Sequence, residues 1–249
     1  MSDDRFGDLT DVYESMIDWP RRLEREGPFF RHWFDLVEAR NVLDVACGTG
    51  HHAALFAQWG LEVEGRDLST AMISRAQATH GHSRQLHWLA ARFEDTLPEH
   101  GPFCAGICVG NSLALAADSH AVERALTGLF ASLRDGGVAI VQVLNLWSLL
   151  DGPVVWQKCQ RTTIRDQDSL VIKGVHRSAQ RGFVNLLVVP LADPSHRHSE
   201  CIPFLGLEAE FLQKAALRAG ARCVEFFGDY QQGAYDRGRS PDLIMVARK

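Results

Sequence analysis

Residues 41–52 read NVLDVACGTGHH, and this stretch decides the fold. Its first half is apolar and β-branched, as expected for a buried strand. It then breaks at Cys47-Gly48-Thr49-Gly50, after which Ala53, Ala54 and Leu55 begin a helical pattern. A strand, a glycine turn and a helix N-terminus together form a ligand cradle. The stretch therefore predicts an α/β sheet with a ligand crevice at the end of this strand.

Small and acidic residues define that crevice. Gly48 and Gly50 have no Cβ, so a ligand can lie against bare backbone. Asp44, near the end of the strand, directs a carboxylate toward the same place. The next strand, over residues 61–66, leads to Asp67. An acidic residue in this position is the expected acceptor for ribose hydroxyls.

Two longer patterns resemble a known family. VLDVACGTG followed by RDLSTAM resembles motif I and the acidic second-strand motif of class I S-adenosylmethionine-dependent methyltransferases. GNSL at 110–113 resembles the glycine/sarcosine N-methyltransferase branch, which often continues to a His where this chain has Leu115. The resemblance implies an α/β Rossmann-like sheet of seven strands, ordered 3-2-1-4-5-7-6 with strand 7 antiparallel. It also implies S-adenosylmethionine as the cofactor.

The resemblance assigns a set of cofactor-binding positions: Tyr13, Arg22, Asp44, Ala46, Gly48, Gly50, Asp67, Leu68, Met72, Arg92, Phe93, Val109 and Asn111. Tyr13 and Arg22 are expected at the methionine end. Many relatives carry an Asp or Asn near position 92 that accepts from the adenine amino group. Arg92 has only donors, so we expect Glu94 or a backbone carbonyl to accept instead, with Phe93 against the base.

The other elements complete one methyltransferase domain over 1–249. Residues 8–38 predict a helical cap of two helices, with Asp8 and Thr10 as candidate caps, Pro20 opening the second helix and Gly27-Pro28 interrupting it. Helix 119–133 is expected to end at Asp135-Gly136-Gly137. Residues 146–205 break the βα rhythm. Their alternating segments at 154–165, 169–178 and 182–190 predict an antiparallel insertion after strand 5.

The insertion carries basic residues in alternation. If the turn at 166–168 is symmetric, Arg165 faces Ser169 and Arg161 lies opposite Lys173. Arg161, Arg165, Lys173 and Arg177 would then share one face, and Thr162, Ile164, Leu170 and Ile172 would pack on the core. The basic face is expected either to be solvated or to meet an anionic acceptor or acidic partner.

The 249 residues suffice for one large domain, and the formal net charge of −5 argues against broad nucleic-acid binding. No apolar run reaches the ~20 residues of a membrane span, and the acidic N-terminus has no apolar core. Six scattered cysteines form no CxxC pair, so they are expected to be free and to hold no metal. We expect a cytoplasmic enzyme with a small-molecule acceptor and no nucleic-acid or membrane partner. A homo-oligomer remains open.

No residue identifies itself as a general base. Asn111, Tyr230, Tyr235 and His176 are candidates, and His196 and His198 are candidates by residue type only. An amine acceptor need only arrive unprotonated, whereas a hydroxyl needs a base. The sequence therefore favours an amine acceptor without an essential base. The alternatives are an O- or RNA methyltransferase, a non-catalytic S-adenosylmethionine-binding protein, and a nicotinamide dehydrogenase, whose third motif glycine is replaced by Ala53.

Overall fold

Two helices precede the first strand in the computed structural model, which describes residues 10–95 and 100–249. They are α1 (Thr10–Met16) and α2 (Trp19–Leu36). The expected two-helix cap is thus confirmed over the described part, while the candidate cap Asp8 lies outside the described residues. Asp18 caps α2 by accepting from Arg21 N at 3.2 Å.

Helix α2 runs through Pro28 without a break, so the predicted interruption at Gly27-Pro28 is wrong. A proline inside a helix costs ~3 kcal/mol. Pro28 is exposed, whereas its neighbours form a buried aromatic face against the core: Phe29, Phe30, Trp33 and Phe34. Full burial of one such side chain contributes roughly 1.5–3 kcal/mol. The aromatic face therefore outweighs the proline.

The main sheet contains seven strands in the order β10-β11-β5-β4-β1-β2-β3. They are β1 (Asn41–Val45), β2 (Glu62–Asp67), β3 (Leu86–Ala90), β4 (Phe103–Cys108), β5 (Leu133–Leu144), β10 (Cys223–Phe227) and β11 (Asp242–Arg248). The first five are parallel, and β11 is antiparallel to both β5 and β10. The predicted order, 3-2-1-4-5-7-6, is confirmed.

Five helices of the described residues cover this sheet: α2, α3 (His51–Gln58), α4 (Thr70–His80), α5 (Ser119–Ala131) and α6 (Ala209–Arg218). One apolar cluster joins α5 and α6 to one side of the sheet, and a second joins α2 and α3 to the other. Both faces are therefore covered, as a parallel sheet requires. No helix in the described part of the chain is long and apolar enough to cross a bilayer.

Strand β5 starts earlier than the sequence indicates. Helix α5 ends at Ala131, and the Asp135-Gly136-Gly137 stretch lies inside β5 rather than ending the helix. A Cβ at Gly137 would lie 2.9 Å from Arg134 O and 3.0 Å from Cys104 O. The glycine is therefore needed for close packing of strands, which sequence alone does not distinguish from a helix stop.

The insertion forms a separate four-stranded antiparallel sheet in the order β6-β7-β8-β9. Its strands are β6 (Val155–Ile164), β7 (Gln167–Ser178), β8 (Arg181–Pro190) and β9 (His198–Leu205). The three predicted segments are present, and β9 is a fourth strand that the pattern did not predict. The inner face of the sheet packs on Val12 of α1 through Val171, Leu186 and Val188.

The predicted register of the first hairpin is wrong. Ile164 pairs with Gln167, which leaves a two-residue turn at Arg165-Asp166. Arg161 therefore faces Leu170 instead of Lys173, and Lys173 faces Lys158. The change moves Arg161 and Lys173 to opposite faces because side chains alternate along each strand. The expected four-residue basic face does not form, and the buried face of β7 carries Val171, Lys173 and Val175 in place of Leu170 and Ile172.

Candidate functional site

The glycine loop after β1 has an unusual backbone. Ala46, Gly48 and Gly50 have φ values of 59°, 56° and 84°. These left-handed conformations are costly for residues with a Cβ and easy for glycine. A Cβ at Gly48 would lie 3.9 Å from the Tyr13 ring, so the bare backbone faces a gap beneath α1. Gly48 therefore faces α1, and the predicted contact of its backbone with a ligand stays a prediction.

Gly50 serves packing in addition to any ligand contact. A Cβ there would lie 2.3 Å from the Trp88 ring and 3.0 Å from Ala76 Cβ. The missing side chain thus lets α3 start close to β3 and α4. This packing role was not predicted, and the expected ligand contact of Gly50 stays a prediction.

Asp67 holds the loop in place from the tip of β2. Its Oδ2 accepts from Gly48 N at 2.8 Å, and its Oδ1 accepts from Ser69 N at 2.9 Å. A carboxylate can accept about four hydrogen bonds, so ligand hydroxyls can be received beside these donors. Next to it, Leu68 is 44% exposed and Met72 is buried. Leu68 follows the tip of β2, and Met72 lies in the first turn of α4.

Asp44 is a buried carboxylate at the end of β1. It is 1% exposed, and no described residue bonds its Oδ2. Burial, followed by the nearby carboxylate of Asp67, raises the pKa of Asp44 to about 8. A buried acid with an unused oxygen suits a cationic ligand group. This observation fits the ammonium of S-adenosylmethionine.

Residues 91–95 follow β3, where the sequence analysis expects the adenine end of the cofactor. Arg92 is exposed, and its backbone N donates to Asp95 Oδ2 at 2.8 Å. The Glu94 carboxylate lies 3.7 Å from Arg124 of α5, and Phe93 packs against the α5 side of the core. An adenine contact by Glu94 or a backbone carbonyl stays a prediction, and so does packing of Phe93 against the base.

Helices α1 and α2 carry Tyr13 and Arg22, the residues expected at the methionine end of the cofactor. Arg22 Nε donates to Glu26 Oε1 at 3.0 Å, and a Cβ at Gly110 would lie 3.7 Å from Arg22 Nη2. Burial raises the pKa of Tyr13, while Arg22 opposes that shift. Tyr13 therefore lies beside the glycine loop and Arg22 beside the tip of β4. Their contact with the methionine end of the cofactor stays a prediction.

The tip of β4 is fastened to β5. Asn111 has φ 68° and accepts from Leu144 N at 2.9 Å. Gln142 Oε1 accepts from Gly110 N at 2.7 Å. Val109, just before the tip, is buried. Asn111 thus extends the edge of the sheet, and the geometry gives it no proton to transfer.

A cavity of about 790 Å³ lies between this edge and the four-stranded sheet. Its lining combines residues of α1, α2, the β4 tip, β5, the insertion and β11, among them Tyr13, Arg22, Glu26, Gly110, Asn111, Gln142, Lys158, Lys173, Tyr230 and Asp242. The volume suits a small molecule. Tyr230, a predicted candidate, lines it. Lys158, Gln142 and Asp242 were not among the predicted site residues. Lys173 was considered as an acceptor contact only as part of the four-residue basic face, which does not form.

Tyr235 and His176 do not reach this cavity, so both candidate assignments are corrected. The Tyr235 hydroxyl donates to Asn145 Oδ1 at 3.2 Å, on the outer side of the last hairpin. His176 stacks on Phe183, with ring centroids 4.8 Å apart, and bonds Asn185 at 2.8 Å. Strand alternation points Val175 inward and His176 outward.

The other two histidine candidates lie on the surface. His196 and His198 are exposed and pair with Asp193 and Glu200. Across 10–95 and 100–249, no group of three or more His, Cys, Asp or Glu could hold a metal. Cys104 and Cys108 are buried and free, as expected.

Comparison with known proteins assigns the family. Residues 42–137 match a family model described as a methyltransferase domain. The glycine/sarcosine N-methyltransferase of Parasynechococcus marenigrum (strain WH8102) is 35% identical over 97% of this chain and 83% of that protein. The chain belongs to the S-adenosylmethionine-dependent methyltransferases. The assignment confirms the predicted enzyme class and cofactor, and it favours the methyltransferase over the dehydrogenase.

Two further matches agree with this family. The glycine/sarcosine/dimethylglycine N-methyltransferase of Actinopolyspora halophila is 26% identical over 98% of this chain and 42% of that protein. The chain therefore spans less than half of that relative. The CcbJ methyltransferase from Streptomyces caelestis has a TM-score of 0.71 at 20% identity, covering 91% of this chain and 89% of that one. This second match shows a shared fold.

Proposed function

We propose that this methyltransferase methylates the nitrogen of a small amine that also carries an anionic group, as glycine and sarcosine do. The observation that carries the proposal is Lys173, which lines the cavity from β7. The named relatives act on glycine and sarcosine. S-adenosylmethionine supplies an activated methyl group when bound. The residues of the chain therefore have to align the acceptor and exclude water.

Lys173 lies between two fully buried valines, Val171 and Val175, on the inner face of β7. Burial, then Lys158 and Arg22, lowers the pKa of Lys173. No carboxylate of the described chain forms an ion pair with Lys173, whereas Lys158 donates to Met16 O. A partly buried cation in this state gains most from an anion that enters the cavity. An acceptor carboxylate meets that need.

Steady-state assays with S-adenosylhomocysteine as readout test the proposal. We expect glycine or sarcosine to be methylated and glycinamide, which lacks the carboxylate, to be a much poorer acceptor. Lys173→Met should raise the KM for glycine tenfold or more, the equivalent of about 1.4 kcal/mol. It should leave the KM for glycinamide and the affinity for S-adenosylmethionine unchanged.

Lys214→Met is the matched control, because Lys214 is an exposed residue of α6 that pairs with Glu210. It should behave as the wild type. Equal use of glycine and glycinamide, or an unchanged KM in Lys173→Met, would contradict the anionic requirement. If a panel of small amines yields no S-adenosylhomocysteine at all, the amine acceptor itself is wrong.

A further inference from the structure

Four carboxylates line the acceptor cavity: Asp18, Glu24, Glu26 and Asp242. Asp18 and Glu24 are exposed, and Asp18 is already used as the cap of α2. Glu26 is buried and accepts from three side chains: Arg22, Arg25 and His52. Those groups hold the pKa of Glu26 at about 2 despite its burial. Glu26 is therefore an ionised carboxylate whose charge is balanced by its three partners. Asp242 is the remaining carboxylate that could contact a ligand.

Asp242 opens β11, which runs antiparallel to its neighbours. Its start therefore lies at the carboxyl edge of the parallel strands, opposite Leu144. Asp242 Oδ1 accepts from Gln142 Nε2 at 2.7 Å. The orientation of that amide is set because Gln142 Oε1 accepts from Gly110 N. The carboxylate is thus aimed by the same loop that forms the β4 tip, and none of the described residues donates to its Oδ2.

Tyr230 provides a second, independent observation beside Asp242. Its side chain lines the cavity and is 5% exposed, yet its hydroxyl has no hydrogen-bond partner in the described chain. A buried hydroxyl without a partner is costly. It can both accept and donate, so a ligand N–H would satisfy it. The charged groups around the hydroxyl include Glu26, Arg22 and Asp242.

We propose that Asp242 and Tyr230 bind the ammonium group of the acceptor and that Asp242 then removes its proton. The inference rests on the proposed function, since it concerns an amine acceptor. It gives the cavity two poles, an acidic one on the main sheet and a cationic one at Lys173 on the insertion. An acceptor held at both ends presents its nitrogen toward Gly110 and Asn111.

The proton balance is simple. One proton leaves the ammonium nitrogen for Asp242 Oδ2, so the ammonium becomes a neutral amine and the carboxylate a neutral acid. The nitrogen lone pair forms the new N–C bond as the C–S bond breaks, and the bonding electrons return to sulfur. The positive charge thus passes from sulfur to nitrogen. Asp242 gives its proton to water when the product leaves.

The surroundings of Asp242 suit this exchange. Burial raises the pKa of Asp242 to about 6, Gln142 of β5 opposes the shift, and Glu26 of α2 adds to it. Arg25 and Arg22, also on α2, lower the value, and Tyr230 faces the group from the last hairpin. The carboxylate is therefore mainly ionised at pH 7.5, and it is a stronger base than an exposed aspartate. The acceptor kcat/KM should fall as pH drops through about 6.

Asp242→Asn tests the proposal, with Glu225→Gln on neighbouring β10 as the matched exposed control. With glycine as acceptor at pH 7.5, we expect Asp242→Asn to lose on the order of 100-fold or more in kcat/KM. Its kcat/KM should then rise continuously with pH as the free amine fraction grows. The affinity of Asp242→Asn for S-adenosylmethionine, measured by calorimetry, should stay within about twofold of the wild-type value. A retained wild-type pH profile, or a parallel loss of cofactor affinity, would overturn the assignment.

Two further measurements keep the outcomes separate. Tyr230→Phe should raise the acceptor KM, and its kcat/KM should still fall as pH drops through about 6. In Asp242→Glu, which keeps a carboxylate, kcat/KM should also still fall at low pH. Methylamine binding to the S-adenosylhomocysteine-loaded protein, followed by NMR, tests the ammonium site without turnover. Binding that is equal in wild type and Asp242→Asn overturns the inference. Absence of turnover with every amine would instead overturn the proposed function.

Discussion

Asp67 has two tasks in the crevice, because it holds the backbone of Gly48 and Ser69 and is expected to accept ribose hydroxyls. Charge-assisted hydrogen bonds contribute about 1.5–3 kcal/mol each. Asp67→Ala should therefore weaken S-adenosylmethionine binding by about tenfold or more, as measured by calorimetry. Glu62→Gln changes an exposed acid of the same strand and should have no effect. Unchanged affinity in Asp67→Ala, or tighter binding of NAD, would contradict the cofactor site.

Asp44 couples cofactor binding to a proton. With a pKa of about 8, its carboxyl is mainly protonated at pH 7 in the ligand-free protein. We expect the cationic amino-acid end of the cofactor to favour the ionised form, so that binding releases up to one proton. Calorimetry in buffers with different ionisation enthalpies measures that release. Asp44→Asn should abolish it, and proton release that persists in this variant would assign it to another group.

The same group makes the stability of the ligand-free protein depend on pH. The folded-state pKa of Asp44, about 8, lies above the ordinary value of 3.8 for an aspartate, so the folded state binds its proton more tightly. The stability contributed by this group therefore falls as pH rises between these two values. Melting curves of wild type and Asp44→Asn should diverge toward higher pH, with the variant less affected. Parallel curves would contradict a raised pKa.

Helix α1 is held from two sides. Glu14 bonds Thr49 and also His51, with 3.1 Å between its Oε2 and His51 Nε2. Asp11 pairs with Arg75 of α4 on the core side. Toward the insertion, Ser15 O accepts from Gln160 Nε2 at 2.6 Å. The helix thus links the two sheets directly above the cofactor loop.

Weakening these ties should speed cofactor exchange. In the double variant Asp11→Asn with Glu14→Gln, the S-adenosylmethionine dissociation rate should rise severalfold in stopped-flow experiments, because α1 covers Gly48. Glu210→Gln removes an ion pair on distant α6 and serves as the control. An unchanged dissociation rate would show that the cofactor leaves without movement of α1.

Local patterns predicted most elements, and long-range geometry accounts for what they missed. The order of the main sheet was implied by the resemblance of the β1 and β2 motifs to the methyltransferase family. The insertion hairpin was set in the wrong register because its turn consists of Arg165 and Asp166, both with positive φ. Such turns usually carry Asn-Gly or Asp-Gly. The sequence therefore contained no signal for a two-residue turn.

The acceptor site was the least predictable part. Lys173 enters the cavity only in the observed register, and Asp242 reaches it only because β11 is antiparallel. The second fact could have been found from the expected strand order, since an antiparallel strand begins where parallel strands end. An acid at the start of the last strand is then a candidate by position. The glycine loop, by contrast, is contiguous in sequence, so its position between β1 and α3 could be predicted from the motif alone.

As a whole, the molecule divides its task between two sheets. The seven-stranded sheet carries the cofactor loop and Asp242, while the four-stranded sheet contributes Lys173. Changes at Lys173 are therefore expected to alter which acceptor fits, whereas changes at Gln160, which bonds α1, are expected to affect the cover of the cofactor loop as well. The divided construction also explains why the strongest sequence motifs identified the cofactor and said little about the acceptor.

The attachment of α1 to both sheets has a consequence for how the enzyme responds to the cellular levels of S-adenosylmethionine and S-adenosylhomocysteine. If the contacts of α1 must break for cofactor exchange, S-adenosylhomocysteine can leave only when they break, as S-adenosylmethionine can enter only then. S-adenosylmethionine and S-adenosylhomocysteine would then compete for one cofactor site that exchanges its ligand slowly. The catalytic rate would follow the ratio of the two rather than the supply of either alone. The enzyme would thereby slow itself whenever the surrounding methylation capacity runs low.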